Sequence, residues 1–256
     1  MSCGHGPGTP VPHGEYSVAP IGARLRETAA TRGWPATLAA LAGWSAGYAA
    51  GLPATLGASR RSFSFQGTSY PYLSHRHNHT WLGERAVEIP VIAAAVRAAR
   101  GRRVLEVGNV LGHYGDYYHD VIDKYERAPG VRNVDVLDLQ PDTPYELIVS
   151  ISTLEHVGFD DEPRDPQRAV AAVGHLRNLL APGGRLLATV PVGYNPALVA
   201  AMLDGRAGLQ RVDALRREGR GLRWREVPAQ EVADLPYDHL LYRAPAVLFG
   251  MVGATS

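Results

Sequence analysis

The chain has 256 residues, of which 45% are hydrophobic and 8% aromatic, a composition that can bury a core and excludes a disordered protein. Its net charge of +1 provides no general attraction to nucleic acid or to an anionic membrane, and we expect neither as a partner. The single cysteine, Cys3, cannot form an internal disulfide, and the first 20 residues contain no apolar core of a signal peptide. These features predict a cytoplasmic protein.

The amino-terminal part of the chain differs in composition from the rest. Residues 1–16 are rich in Gly, Pro and His and predict a disordered tail, and residues 17–80 predict an extension of helices and loops. Residues 33–59 are uncharged but consist mostly of Ala and Gly, whereas a membrane-spanning helix would be more apolar. We therefore expect helices that pack on the main domain or on a second copy of the chain, which would form a homo-oligomer.

Residues 60–80 are rich in aromatic side chains and histidine, and the alternation of Phe63 and Phe65 predicts a short strand or hairpin. Thr80 is positioned to cap a helix over 81–100. Three alternating histidines would share one face of a strand as metal ligands, or would line a substrate loop: His75, His77 and His79. No cysteine supports a metal site, so we predict no metal.

From residue 103 onward, segments typical of strands and helices alternate, which indicates an α/β protein with a parallel sheet. The apolar runs predict strands over 103–107, 119–123, 132–136, 146–151 and 185–190. A helix is predicted over 168–180, ended by Pro182-Gly183-Gly184, and another after Pro196. The apolar run over 246–252 predicts a last strand.

Acidic residues and glycines stand at the ends of the first predicted strands. Glu106 and Gly108 end the first strand, Gly112 follows, and Asp123 and Asp135 end the next two. Ligands of such sheets bind beyond the carboxyl ends of the strands, where a glycine turn brings peptide N–H groups close to the ligand. The glycine spacing does not match the G-x-G-x-x-G fingerprint of dinucleotide-binding proteins.

In their order and spacing, the segments 103–112, 145–157 and 180–191 resemble the motifs of class I S-adenosylmethionine-dependent methyltransferases. The resemblance spans roughly residues 78 to 195 and rests on the series of motifs. It implies a Rossmann-like fold, with a seven-stranded, mostly parallel sheet flanked by helices, closed by an antiparallel last strand and formed by residues 81–256. The chain departs from the family at Val110, where a third glycine is usual.

The resemblance implies a binding site for S-adenosylmethionine. Its predicted residues are Glu106, Gly108, Asn109, Gly112, Asp123, Asp135, Val136, Ser150, Ile151, Trp81 and Arg85. In the family, the acid matching Glu106 bonds the ammonium group of the cofactor, and the one matching Asp123 accepts from two ribose hydroxyls. Asp135 and Val136 would bond the adenine ring, and the segment of Ser150 and Ile151 would run along the sulfonium.

The segment over 78–90 resembles that of a bacterial subgroup whose glycine loop also reads Gly-Asn-Val-Leu. If it lies over the strand ends, Trp81 would cover the cofactor and Arg85 would pair with its carboxylate. The alternative is that Arg85 forms an ordinary ion pair with Glu84 or Glu88 on a helix surface. Both interpretations stay open from the sequence.

The resemblance implies methyl transfer to a small-molecule acceptor, with S-adenosylhomocysteine as the product. For a hydroxyl acceptor, such as that of a sugar or a natural product, a general base helps, and His156 is the catalytic candidate. Tyr194 and Asn195 stand where acceptor contacts usually lie. Two alternatives remain: an N-methyltransferase, and a non-catalytic scaffold or partner protein that keeps the cofactor pocket.

Overall fold

The computed structural model describes residues 21–56, 61–219 and 222–253. Two helices come first, α1 over Ile21–Arg32 and α2 over Trp34–Leu56, and Gly33 turns the chain between them with a φ of 80°. The tail predicted over 1–16 lies outside the described residues. No helix in the described part of the chain is long and apolar enough to cross a membrane.

A β-hairpin follows, as the alternation of phenylalanines predicts. Strands β1 (Ser62–Phe65) and β2 (Thr68–Pro71) pair in antiparallel fashion around Gln66 and Gly67, which both have positive φ as a tight hairpin turn requires. The ring centroid of Phe65 lies 4.4 Å from that of Phe249, so the hairpin packs on the main sheet. The division of the chain at residue 80 stays a prediction.

The predicted helix cap at Thr80 is wrong. Thr80 lies within a 3-10 segment over His77–Leu82, where its buried hydroxyl donates to the Leu73 carbonyl at 2.8 Å and accepts from the His75 N–H at 2.8 Å. The hydroxyl is thus used to close this loop, and helix α3 begins later and runs over Arg85–Ala98. Apolar residues that recur along this helix are buried: Val87, Val91, Ile92 and Val96.

The main sheet has eight strands. They are β3 (Val104–Val107), β4 (Asp120–Ile122), β5 (Val131–Arg132), β6 (Tyr145–Ile151), β7 (Leu180–Pro191), β8 (Arg211–Arg217), β9 (Trp224–Val227) and β10 (Ala246–Val252). Their spatial order is β5-β4-β3-β6-β7-β10-β8-β9. The first five strands in this order are parallel, and β10 lies between β7 and β8 and is antiparallel to both. The α/β class and the antiparallel closing strand are confirmed, and β9 is an eighth strand beyond the predicted seven.

Two predicted boundaries differ from the structure. The third strand of the series is only the two-residue β5, because the Asp135 carboxylate accepts from the Leu137 N–H at 3.0 Å and caps a 3-10 turn instead. Helix α4 spans Gln167–Asn178, and β7 starts at Leu180, before the Pro-Gly-Gly sequence that was expected to separate them. The pairing of β6 with β7 is irregular there.

Helices cover both faces of the sheet. Alternate residues of β3 and β6 belong to different clusters: Leu105 and Ile148 pack with α4, whereas Val104 and Val149 pack with α3. Helix α5, over Pro196–Leu203, lies on the α4 side. In the sheet, β3 has β4 as its neighbour on one side and β6 on the other. The strand order therefore reverses at β3, and ligands of open α/β sheets bind at the carboxyl end of such a strand.

Candidate active site

The turn after β3 brings the chain close to the segment that follows β6. Gly108 has a φ of 87°, and a Cβ at this position would overlap the side chain of Thr153. Both the backbone conformation and the lack of space therefore require glycine here. At Gly108, the turn after β3 therefore presents only backbone atoms.

The carboxylate of Glu106 holds the glycine loop from beneath. The residue is fully buried, and its Oε1 accepts from the N–H groups of Val110 at 3.0 Å and Leu111 at 2.8 Å. Its Oε2 lies 2.7 Å from Nε2 of His119. Both carboxylate oxygens thus bind protein groups, and the predicted contact of Glu106 with the ammonium of the cofactor stays a prediction.

The residues that follow Gly108 explain how the loop accommodates a side chain at Val110. Val110 has a φ of −107°, which any residue adopts, so the glycine usual in the family is not needed here. Asn109 donates from its side chain to Glu126 Oε1 at 2.6 Å. Gly112 lies in a short 3-10 turn, and a Cβ on it would approach the Asn109 side chain to 3.0 Å.

A first cavity of about 460 Å³ opens beyond the ends of β3 and β4. It is lined by five of the predicted residues: Gly108, Asp123, Asp135, Val136 and His156. Oδ1 of Asp123 accepts from the N–H groups of Tyr125 at 2.8 Å and Glu126 at 2.7 Å, whereas Oδ2 makes a single long contact of 3.4 Å with the Asn109 N–H. Oδ2 therefore keeps capacity to accept from a ligand.

Asp135 is held at the rim of the first cavity by two cations. Its Oδ2 lies 3.2 Å from Nζ of Lys124 and 3.2 Å from the guanidinium of Arg168, while Oδ1 caps the following 3-10 turn. The side chain is therefore already well paired. Its predicted bond to an adenine amino group stays a prediction, as does that of the Val136 backbone.

A second, larger cavity of about 1200 Å³ adjoins the first. One wall carries the polar side chains of Glu84, Arg85, Ser152, Glu155 and His156. The aromatic part of the lining is provided by Trp44, Tyr194, Tyr237 and Tyr242. Since His156 lines both cavities, its imidazole stands at the boundary between them.

The imidazole of His156 is oriented by an acid and a tyrosine. Its Nδ1 lies 2.5 Å from Oδ2 of Asp160, which also accepts from the hydroxyl of Tyr194 at 2.8 Å. Burial opposes the charged form of His156, but the hydrogen bond with Asp160 and the charges of Glu155 and Asp160 outweigh it and raise the pKa of the imidazole. An imidazole held in this way can accept a proton and stabilise the resulting charge.

Arg85 joins helix α3 to the end of β6. Its Nη1 donates to the Ile151 carbonyl at 3.0 Å and lies 3.6 Å from Oε2 of Glu88. Oε1 of Glu88 accepts from the Ser152 hydroxyl at 2.5 Å. The ion pair with Glu88 thus forms, but in the interior instead of on a helix surface, and the predicted contact of Arg85 with a cofactor carboxylate stays a prediction.

Other predicted residues lie away from the cavities. Ser150 is buried, and its hydroxyl donates to the Val107 carbonyl at 3.2 Å between β6 and β3. Trp81 is 3% exposed and packs beside Tyr48 and His79, at centroid distances of 5.8 Å and 5.5 Å. Neither residue presents its side chain to the first cavity, so their predicted cofactor contacts stay predictions.

The three histidines do not share a strand face, because β2 ends at Pro71 and the chain then turns into the 3-10 segment. His77 stacks on His113 with a centroid distance of 4.4 Å, whereas His79 lines the second cavity. Within residues 21–56, 61–219 and 222–253, no three His, Cys, Asp or Glu side chains are grouped to hold a metal ion.

The acids and most of the aromatic residues of the second cavity were not predicted as site residues from the sequence. Burial raises the pKa of Glu155 to about 7, and burial together with the charge of Glu88 raises the pKa of Glu84 to about 7. Glu155 directly precedes His156 in the sequence, and this proximity was the one available signal. Tyr237 and Tyr242 reach the cavity from the segment before β10, which carries no recognisable motif.

No family model and no curated protein matches this chain. Among solved structures, the chain is similar to the N-methyltransferase NodS from Bradyrhizobium japonicum WM9 in complex with S-adenosylhomocysteine, at 14% identity, with 68% of this chain and 88% of that chain covered and a TM-score of 0.42. It is also similar to 1,6-didemethyltoxoflavin-N1-methyltransferase from Burkholderia thailandensis, at 13% identity over 77% and 100% of the two chains, with a TM-score of 0.39. The chain is similar as well to the CcbJ methyltransferase from Streptomyces caelestis, at 14% identity, with 66% of this chain and 89% of that chain covered and a TM-score of 0.34. Similarity at this level leaves the activity to be argued from the site itself.

Proposed function

We propose that the protein transfers a methyl group from S-adenosylmethionine to a small-molecule acceptor. The observation that carries this proposal is the pair of adjoining cavities at the carboxyl ends of the parallel strands, with His156 at their boundary. The first cavity would hold the nucleoside part of the cofactor, and the second would hold the acceptor. Both ligands would then reach the imidazole.

The residues of the first cavity fit such a cofactor. Gly108 and Thr153 line the cavity, and Oδ2 of Asp123 can accept from a ribose hydroxyl. Val136 and Ile122 provide apolar surface for a flat ring. When bound, the cofactor supplies an activated methyl group, whose bond to sulfur breaks as a lone pair of the acceptor bonds the carbon and the acceptor loses a proton.

The chain's own residues would orient the acceptor and receive that proton. With a hydrogen on Nδ1 directed at Asp160, the neutral ring of His156 carries its lone pair on Nε2, at the boundary of the cavities. Asp160 and Tyr194 keep the ring in this orientation. The role of His156 as general base is part of the proposal, and the hydroxyl acceptor predicted from the sequence and a nitrogen acceptor are the two candidates.

The amino-terminal helices support a small acceptor. Arg24 of α1 donates to the Leu240 carbonyl at 2.8 Å, and Trp44 of α2 lines the second cavity. Both helices thereby border the second cavity, and we propose that they limit the size of the acceptor. A homo-oligomer formed through them stays a prediction. A scaffold without activity loses its support from the loop, because Val110 fits the turn without strain.

The direct test is calorimetric titration of the full chain with S-adenosylhomocysteine and, separately, NADH. We expect binding of the first alone, and a loss of affinity of about tenfold or more in Asp123→Ala, because a hydrogen bond to a charged group is removed. Asp116→Ala, at an exposed acid beyond the glycine loop, is the matched control and should bind normally. Binding of NADH alone, or an unchanged affinity in Asp123→Ala, would overturn the proposal.

A further inference from the structure

We propose that the second cavity binds a cationic nitrogen, an amine that is protonated in water, between the Glu155 carboxylate and the surrounding tyrosine rings. The inference rests on the proposed function only in taking this ligand to be the methyl acceptor. The binding itself requires no cofactor.

Glu155 is the observation that points to a ligand. It lies in the 3-10 turn over Leu154–His156 that follows β6, lines the second cavity and is 1% exposed. Its Oε2 is buried and has no hydrogen-bond partner among the residues that the structure describes. The imidazole of His156 is 3.7 Å from the other oxygen. A buried carboxylate oxygen without a partner is costly, and a positively charged N–H group from a ligand would satisfy it.

His156 is the protein cation nearest Glu155 and lowers the pKa of its carboxyl, but the imidazole lies 3.7 Å from Oε1 and its Nδ1 is bonded to Asp160. Glu84 and Glu88 add two further buried carboxylates, and the more exposed Asp160 adds a carboxylate beside His156. The nearby arginine, Arg85, is already engaged by Glu88 and by a backbone carbonyl. Burial is the main cause that raises the pKa values of both Glu84 and Glu155, and the charge of Glu88 adds to it at both residues.

The cations at the outer side of the cavity are also engaged. Arg243 lies 3.5 Å from Asp238, and Arg24 donates to the Leu240 carbonyl while its guanidinium lies 4.8 Å from the centre of the Tyr242 ring. Neither is therefore left to neutralise the buried carboxylates. The negative charge of the cavity is therefore concentrated around Glu84 and Glu155.

The aromatic side of the cavity suits the same ligand. The rings of Tyr194 and Tyr237 are perpendicular with centroids 5.1 Å apart, and those of Tyr237 and Tyr242 are perpendicular at 6.2 Å. Such an arrangement offers ring faces in different directions, to which a cation is attracted. Burial, followed by the charges of Glu84 and Glu155, raises the pKa of Tyr237, so both carboxylates act on the same tyrosine.

An amine fits this arrangement better than the alternatives. A neutral hydroxyl would donate one hydrogen bond to Glu155 but would leave the negative charge of the wall uncompensated. An anionic acceptor would be repelled by the same carboxylates. The proton that an ammonium must lose before its lone pair can react would pass to Nε2 of His156, which stands beside Glu155 at the wall.

The test uses simple probes on the full chain: 2-phenylethylammonium, its neutral counterpart 2-phenylethanol and the anion phenylacetate. Binding is followed by ligand-observed NMR and calorimetry, with and without S-adenosylhomocysteine. We expect the ammonium to bind at least about tenfold more tightly than the alcohol, the gain typical of one charged hydrogen bond, and phenylacetate not to bind. Equal affinity for alcohol and ammonium, or no binding of the ammonium in either condition, would overturn the inference.

The variant Glu155→Gln keeps the shape of the side chain and removes its charge. It should lose about tenfold or more in affinity for the ammonium while its affinities for the alcohol and for S-adenosylhomocysteine stay unchanged. Glu231→Gln, at an exposed position, is the matched control. An unchanged ammonium affinity in a folded Glu155→Gln would overturn the inference. If the chain bound the ammonium but not S-adenosylhomocysteine, the proposed function would fail and this site would stand.

Discussion

His156 is the residue at which the first and second cavities meet, and its properties are set by its neighbours. Asp160 bonds Nδ1 at 2.5 Å, and the carboxylates of Glu155 and Asp160 favour the imidazolium over the neutral ring. A base with a raised pKa is a stronger proton acceptor, but it is in the neutral, active form only above that pKa. The acidic surroundings of His156 therefore influence both its strength and its working pH.

The first prediction concerns the pH dependence of turnover. If His156 is the base, the rate should fall toward acid pH as the imidazole becomes protonated. Asp160→Asn should move this inflection to lower pH, because it removes the main interaction that raises the pKa of His156. The measurement is the pH profile of kcat, with Tyr194→Phe as a comparison that leaves the acid in place. An inflection that is the same in Asp160→Asn would remove His156 from the proposed role.

The role of His156 in turnover is separable from cofactor binding. His156→Gln should lower kcat by about 10²- to 10⁴-fold, the usual contribution of a general base, while the affinity for S-adenosylhomocysteine stays near that of the parent chain. Parallel titrations and initial rates provide the comparison. Normal turnover in this variant would contradict the assignment.

The glycine loop is the element on which the first cavity depends. Gly108 combines a φ of 87° with a close approach to Thr153, whereas Gly130 has a φ of 82° and nothing within 4 Å of a Cβ. Gly130→Ala therefore reports the backbone strain alone, and Gly108→Ala adds the overlap with Thr153. We expect Gly130→Ala to cost roughly 1 kcal/mol of unfolding free energy and Gly108→Ala clearly more. Equal losses in denaturant unfolding would contradict this account of the loop.

Much of the sheet could be predicted because a buried parallel strand has a short apolar run as its sequence. The runs of β3 and β6 meet this condition, and the structure has strands at both; the buried antiparallel strand β10 is an apolar run of the same kind. Local side-chain bonds are harder to anticipate. Asp135 ends β5 early by capping the next turn, and Thr80 closes a loop instead of capping α3, although both residues suit either role from the sequence alone.

The candidate site was predicted in part for the same reason. Acids and glycines at strand ends are close in sequence to the strands that position them, so Gly108, Asp123 and His156 could be placed at one edge of the sheet. The wall of the second cavity could not be predicted, because it joins α1, α2, the start of α3 and the segment before β10. These pieces lie up to 216 positions apart, as in the bond from Arg24 to Leu240.

In the molecule as a whole, the amino-terminal helices border the second cavity, and we expect them to cover it. The bond from Arg24 to Leu240 and its contact with the Tyr242 ring connect α1 to the segment before β10. Arg24→Ala should release this segment and increase amide hydrogen exchange of residues 237–242 by about tenfold, equivalent to the loss of one charged hydrogen bond. Arg26→Ala, at an exposed position of the same helix, should leave exchange unchanged. Exchange that is equal in the two variants would contradict a covering role.

The central claim is that two ligands occupy adjoining cavities that meet at His156. The measurement that tests it most directly is NMR of the full chain with S-adenosylhomocysteine and 2-phenylethylammonium present together. The account predicts that both bind at the same time, with magnetisation transfer between the two ligands and chemical-shift changes at His156 from each. Displacement of one ligand by the other, or binding of both without any effect on His156, would contradict it.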